Sequence, residues 1–211
     1  SLLGIRENEG HYSVLGSSRG VDEGYPLEPD EPYAASKAAQ SMLCLAYARS
    51  YGLPIVTFRC SNLYGPAPCH GPRHGWLTWL CISAAIGLRL EIQGSGKQTR
   101  DMLFTDDVTS AVLAAVQRID QLSGEVYNLG GGLENVISVM EAVSLIAEIL
   151  DHPVGTIQGE GRKHEDMLFV TDYSKFRSIT GWEPTVGVRE GVQRVLAWAF
   201  EHSDELRRLY L

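Results

Sequence analysis

The stretch "PYAASKAAQSMLCLAYARSYGLPIVTFRCSNLYGP", Pro32–Pro66, decides the fold. Between Tyr33 and Ser50 it contains neither Gly nor Pro, and its alanines are interleaved with Met42, Leu43, Leu45 and Tyr47. That composition predicts a helix over Glu31–Tyr51, with Pro32 tolerated in the first turn, where its missing N–H has no helical partner anyway. Gly52, Leu53 and Pro54 end the helix. "IVTFRC", Ile55–Cys60, is a short apolar run and reads as a buried strand. The loop "SNLYGPAPCHGPRHG", Ser61–Gly75, follows at that strand's C-terminal end.

Further along, the same alternation continues. "WLTWLCISAAIGL" reads as a helix, "LEI" as a short strand, "QGSGKQ" as a turn and "RDMLF" as a strand. "TDDVTSAVLAAVQR" predicts a helix capped by Thr105 or Asp106. "GEVYNLGGG" is a strand ending in glycines. In "SVMEAVSLIAEIL", Ser138 with Glu141 three residues on forms a capping-box signature. Short strands near 156–158 and 167–170, then helices over Tyr173–Thr180 and Val188–Phe200, complete the chain. Helices alternating with strands imply an α/β fold with a smaller mixed lobe toward the C-terminus. Residues 1–30 show no periodicity and read as a long surface loop, unusual within one domain.

Composition narrows the partners. The 211 residues carry 18 Lys and Arg against 26 Asp and Glu, a formal charge of −8, with no basic tract. That argues against nucleic acid, while a few placed arginines still suit an anionic ligand. No apolar run is long enough to span a bilayer, and no signal peptide opens the chain. Cys44, Cys60, Cys69 and Cys81 show no framework spacing and read as reduced thiols, which implies a cytoplasmic setting. "CHGPRH", Cys69–His74, lacks a second ligand pair at zinc-like spacing and is read as a plain loop.

Tyr33 and Lys37 stand four apart, one turn apart on one helix face. A free phenol, titrating near 10, is a poor base at neutral pH. A fixed cation beside it favours the ionised form, so the pair can take a proton from a sugar or alcohol hydroxyl. Taken alone, the spacing also occurs in many ordinary helices.

Its surroundings add a resemblance. "PYAASKAAQSMLCLAYARSYGLPIVTFRCSNLYGP", "GSGKQTRDMLFTDDVTSAVLAAV", "EVYNLGGG" and "GRKHEDMLFVTDYSK" resemble, in order and rough spacing, the extended short-chain dehydrogenase/reductases in their NAD-dependent epimerase/dehydratase branch. "HGWLTWL" and "GGGLENVISVMEAV" are similar to a subgroup that acts at C2 of a CDP-dideoxyhexose. The resemblance implies the C-terminal portion of a Rossmann-type NAD(P)-binding fold, namely its last parallel strands and helices, plus a small mixed α/β substrate-binding lobe. Residues 31–66 and 99–132 would be the remainder of the Rossmann-type domain. Residues 67–98 and 133–211 would form the nucleotide-sugar lobe, and 1–30 a loop after a strand that lies upstream.

The resemblance also implies roles. Tyr33 would be the general base and then the acid, and Lys37 would hold the cofactor ribose. Cys60 and Ser61 match positions that approach the nicotinamide. Asn62 matches a contact to the substrate diphosphate or sugar, though an Asx-turn would explain it as well. Arg100 and Arg162 would grip phosphates and ribose, and the backbone of Glu91 and Gln93 would flank the base. Glu165 stands where the family usually has Asp. Asp172 and Lys175 read as structural, and Trp76 and Trp79 as core. The implied cofactor is NAD and the implied partner a nucleoside-diphosphate sugar. Pairing of two copies would use the Tyr33 helix and a preceding helix that this chain does not show.

The family's Gly-x-x-Gly-x-x-Gly turn, which brings backbone N–H groups to the pyrophosphate, does not occur in this chain. Gly130–Gly132 lacks that spacing and reads as a close backbone approach at a strand end. About 100 residues of strand–helix units, at ~30 per unit, would precede residue 1. "IVTFRC" and "EVYNLG" would then be outer strands of a parallel sheet. The activity implied is sugar epimerisation, at C2 or C4, or 4,6-dehydration. The alternative is a segment that only binds nucleotide sugar or dimerises.

Overall fold

The computed structural model describes residues 4–16, 18–67, 75–161 and 166–211. A hairpin, β1 (Ile5–Glu7) and β2 (Tyr12–Val14), comes first. Then follow α1 (Pro32–Tyr51), β3 (Thr57–Cys60), β4 (Asn62–Tyr64), α2 (Trp76–Ile86), β5 (Leu90–Gln93) and β6 (Thr99–Phe104). Next come α3 (Thr105–Gln117), α4 (Ile119–Leu122), β7 (Val126–Leu129), β8 (Val136–Ser138) and α5 (Val139–Leu150). The remainder is β9 (Thr156–Gly159), β10 (Leu168–Phe169), α6 (Ser174–Thr180), α7 (Val188–Glu201) and α8 (Ser203–Tyr210).

Parallel pairing dominates. β3 runs alongside β7, β5 alongside β9, and β6 alongside both β4 and β10, while β8 joins β6 antiparallel. The chain changes partner at Ser61. Cys60 is in register with Leu129 of β7, and Asn62 with Met102 of β6. β6 is covered on both faces, as parallel strands normally are. Met102 and Phe104 enter a core with Leu77, Leu80, Ile146, Val195 and Leu196 from α2, α5 and α7. Leu103 enters a second core with Tyr127, Leu129, Phe176 and Trp182. Phe176 anchors that second core, with its ring 5.3 Å from Phe58 and 5.6 Å from Tyr127 and Trp182. Trp79 meets Tyr210 edge-on at 5.1 Å, and Trp76 packs on the first core, so both tryptophans are packing residues.

The close contact of α7 with β4 depends on one glycine. A Cβ at Gly191 would stand 2.0 Å from the Tyr64 hydroxyl, which is buried against that helix.

Two local expectations need correction. Residues 1–30 are not wholly irregular, because the β1–β2 hairpin forms within them. Long-range contacts hold it: Tyr12 N–H donates to Thr99 Oγ1 (3.0 Å), Lys97 pairs with Glu7 (2.8 Å), and His11 lies 2.9 Å from Glu141. Neither Thr105 nor Asp106 caps α3. Its N-cap is Phe104, with no side-chain bond. Asp106 pairs with Arg194 instead (3.0 Å). Asp107, buried, accepts from Thr185 N (3.0 Å), Thr185 Oγ1 (2.8 Å) and Val186 N (3.1 Å). The acidic first turn therefore clasps the strap leading into α7. The capping box of α5 forms as read, with Ser138 Oγ accepting from Glu141 N (3.1 Å) and Glu141 Oε2 from Ser138 N (2.9 Å).

α1 is largely exposed. Only Ser41 and Ala48 are buried, while Met42, Leu43, Tyr47 and Tyr51 are exposed. Among the described residues, no helix is long and apolar enough to cross a membrane.

Candidate active site

The helix–strand unit α1–β3 sets the geometry. Arg59 Nε donates to Ser41 Oγ (3.4 Å), and residues 52–56 join the helix end to the strand start, so the helix runs antiparallel to β3. Tyr33 lies about 12 Å from Ser41 toward the helix N-terminus, at ~1.5 Å per residue. That is the end at which β3 finishes with Cys60 and Ser61. Tyr33 is 64% exposed, and the Lys37 ammonium is 5.7 Å from its ring centroid. Lys37 also donates to Gln40 Oε1 (3.4 Å). Both side chains thus share one face and stand open to solvent.

Cys60 is exposed at the strand end. Ser61 is fixed on two sides: its N–H donates to Leu129 O (2.9 Å) and its hydroxyl to Asp101 O (3.2 Å). Asn62, half-buried, starts β4. β3 and β7 stay paired to their last residues before the strand turns to β6, and ligands of open α/β sheets bind outside the carboxyl ends of such strands.

Arg100 lies next to Asp101 on β6, half-buried, with Nη1 donating to Thr99 O (2.9 Å). It is in register with Phe169 and Ile137 and lies two residues before Met102, the partner of Asn62. Glu91 and Gln93 lie on β5, which pairs with β9 rather than with β6. The Gln93 carbonyl already accepts from Gly96 N (3.2 Å) and Gln98 Nε2 (3.0 Å). Arg162 and Glu165, like the Cys69–His74 loop, lie outside the described residues. Asp172 and Lys175 serve the fold: Asp172 accepts from Ser174 N (2.8 Å), and Lys175 donates to Glu125 (2.9 Å) and to Val126 O (2.8 Å).

Gly130–Gly132 is packed from behind by protein. A Cβ at Gly130 would strike the Asp101 carboxylate and the Thr171 side chain, and one at Gly131 the Met102 carbonyl. The close approach is therefore to the chain itself. Asp101, which motif reading passed over, is fully buried. Its Oδ2 accepts from Gly132 N–H (3.2 Å). Burial raises its carboxyl above the usual range, partly offset by the Gly132 N–H, while its Oδ1 has no hydrogen-bond partner among the described residues. A charged residue inside the apolar strand "RDMLF" was the available signal.

A family model described as the NAD dependent epimerase/dehydratase family matches residues 12–130, more than half of the chain. The chain belongs to this family. Among its members, CDP-paratose 2-epimerase of Salmonella typhi is 31% identical over 197 residues, covering 91% of this chain and 58% of the relative. A structure of dTDP-glucose 4,6-dehydratase from Bacillus anthracis in complex with NAD superposes with a TM-score of 0.78 at 30% identity, covering 92% of this chain and 60% of that one. UDP-glucuronic acid 4-epimerase from Bacillus cereus, in complex with UDP-glucuronic acid and NAD, gives 0.78 at 26% identity, covering 92% and 58%. The chain thus spans somewhat over half the length of the family members it matches, and the expected α/β, Rossmann-type class agrees with them.

Proposed function

We propose that this protein is an NAD-dependent nucleoside-diphosphate-sugar epimerase that inverts a sugar carbon by transient oxidation, in the manner of CDP-paratose 2-epimerase. One observation carries the reading: Tyr33 and Lys37 sit on one open helix face at the carboxyl end of β3. The nicotinamide-ribose end of NAD fits this place, with an exposed Cys60 and a doubly anchored Ser61 beside a lysine able to bond ribose hydroxyls. The pyrophosphate does not fit Gly130–Gly132, whose inner side is filled, so polypeptide beyond these residues would hold it.

When bound, NAD supplies a hydride acceptor that later returns the hydride. Tyr33 Oη takes the proton of the sugar hydroxyl and gives it back after the keto sugar has turned over in the pocket. Lys37 Nζ orients the ribose. Arg100 and Arg162 hold the diphosphate through paired N–H donors. Asn62 and Glu165 orient sugar and ribose, and the backbone of Glu91 and Gln93 flanks the base.

The test has two parts. Heat-denatured protein should release NAD into the supernatant, and incubation with CDP-paratose should yield its C2 epimer by NMR. Well-folded protein that neither carries nor binds NAD overturns the enzymatic reading in favour of a nucleotide-sugar-binding or dimerising role. A second enzymatic reading is dehydration, since the B. anthracis dehydratase superposes as well as the 4-epimerase does. Conversion of dTDP-glucose, with CDP-paratose untouched, would establish it.

A further inference from the structure

The successive carbonyls of Ile92, Gln93 and Gly94, at and just past the end of β5, all accept from glutamine side chains. The middle one bonds to Gln98 Nε2 (3.0 Å), and Gln98 is buried. Its two neighbours, Ile92 O (2.9 Å) and Gly94 O, bond to Gln158 Nε2, which also reaches Gly159 O (3.3 Å). Gln158 is exposed and lies on β9, in register with Ile92. Only the N–H2 end of an amide can face carbonyl oxygens in this way. The strand ends beside it carry no side chain. Gly94 and Gly161 approach so closely that a Cβ on either would stand 3.1–3.2 Å from the other's Cα. The rim is therefore bare backbone, with two acceptors of β5 converging on one solvent-facing amide.

We propose that Gln158 is a specificity-determining residue at the base subsite: its amide competes with an exocyclic amino group of the nucleotide base for the carbonyls of Ile92 and Gly94. This rests on the proposed function, in which the backbone of Glu91 and Gln93 flanks the base. The buried Gln98 amide is fixed, and the exposed Gln158 amide is the one a ligand displaces. A primary amide sets an N–H2 group beside an acceptor oxygen. Cytosine sets its amino group beside an acceptor ring nitrogen, so the two edges offer the same donor–acceptor pair. Uracil and thymine present an oxo group at that ring position. An oxo group there would meet two carbonyl oxygens with no hydrogen between them and leave both without a donor. A site made to bond an N–H rejects the analogue that lacks it. The carbonyls therefore select a cytidine nucleotide over a uridine or thymidine one, and Gln158 tempers the affinity for it.

Equilibrium binding of CDP, UDP and ADP to wild type and to Gln158→Ala tests this. Wild type should bind CDP on the order of tenfold more tightly than UDP. In Gln158→Ala the competitor is gone while the carbonyls remain. CDP should then bind about two- to fivefold more tightly than in wild type, with UDP within about twofold. ADP carries the same amino group on a larger base. If ADP also exceeds UDP, the amine alone is read; if only CDP does, cytosine is. Equal binding of CDP and UDP overturns the proposal. So does CDP binding that is unchanged or weakened in Gln158→Ala, which would make Gln158 a brace for β5.

A second readout needs no variant. In wild type, the side-chain N–H2 resonances of Gln158 should move when CDP is added and stay in place with UDP. Resonances that CDP leaves unmoved overturn the displacement. The outcomes also separate this inference from the activity. A CDP preference with moving resonances, in protein that carries no NAD and leaves CDP-paratose unchanged, leaves base selection standing and sinks the proposed epimerase. Protein that holds NAD and epimerises CDP-paratose, yet binds CDP and UDP alike, keeps the activity and loses the selection. Failure of all the nucleotides to bind overturns the subsite itself.

Discussion

The ammonium of Lys37 lies 5.7 Å from the ring centroid of Tyr33, one helical turn away, with Tyr33 64% exposed. A pair built only to stabilise a helix contributes a few tenths of a kcal/mol. Here it stands toward the carboxyl end of β3, where the strand changes partner. Tyr33→Phe should therefore lower kcat by roughly 10²–10⁴-fold while leaving stability within about 0.5 kcal/mol. Steady-state kinetics beside a thermal melt will separate the two. Retained activity would mean that another group is the base.

Asp107 should be the costliest carboxylate to remove. Truncation to Ala strands Thr185 N, Thr185 Oγ1 and Val186 N, all now bonded to it. Unsatisfied buried donors cost ~1–3 kcal/mol each before relaxation and water entry, so Asp107→Ala should lose about 3 kcal/mol. At ~2–4 °C per kcal/mol for a chain this size, Tm should fall on the order of 10 °C. Urea melts would show it, and a loss under about 0.5 kcal/mol would refute the clasp.

Gly191→Ala places a methyl group 2.0 Å from the Tyr64 hydroxyl. Overpacking of this kind costs about 1–3 kcal/mol. Tyr64→Phe removes that hydroxyl, which is buried and has no partner among the described residues. The double variant should recover part of the loss, so a double-mutant cycle should return a coupling of about 0.5 kcal/mol or more. Strict additivity would place the strain elsewhere.

Asp101 should tilt the pH dependence of stability. Its folded carboxyl is held above the ordinary value by burial. The native state then binds the proton more tightly than the unfolded chain, so this group's contribution is full below the unfolded value and is lost as pH rises through the folded one. Urea denaturation across the acid-to-neutral range should show a smaller decline with rising pH in Asp101→Asn than in wild type. Parallel curves would mean that Asp101 titrates normally.

Much of the fold was legible because its signals are local. The Gly- and Pro-free run before Gly52 specified α1, and spacing alone put Tyr33 and Lys37 on one face. Ser138 and Glu141 announced their capping box within four residues. The hairpin was not legible, since its three-residue strands have no periodicity to detect. It stands because Lys97, Thr99 and Glu141, distant in sequence, hold Glu7, Tyr12 and His11. The α3 cap was misread for a related reason: Asp106 found Arg194, and Asp107 found Thr185 and Val186.

The amino-acid order by itself determined the helices, the apolar strands and the shared helix face of Tyr33 and Lys37, because those follow from neighbours within a turn or two. Only the tertiary structure decided that Ser61 is where a strand changes partner and that Asp101 is buried beneath Gly130 and Gly132. A carboxylate's surroundings are set by segments that arrive from far along the chain.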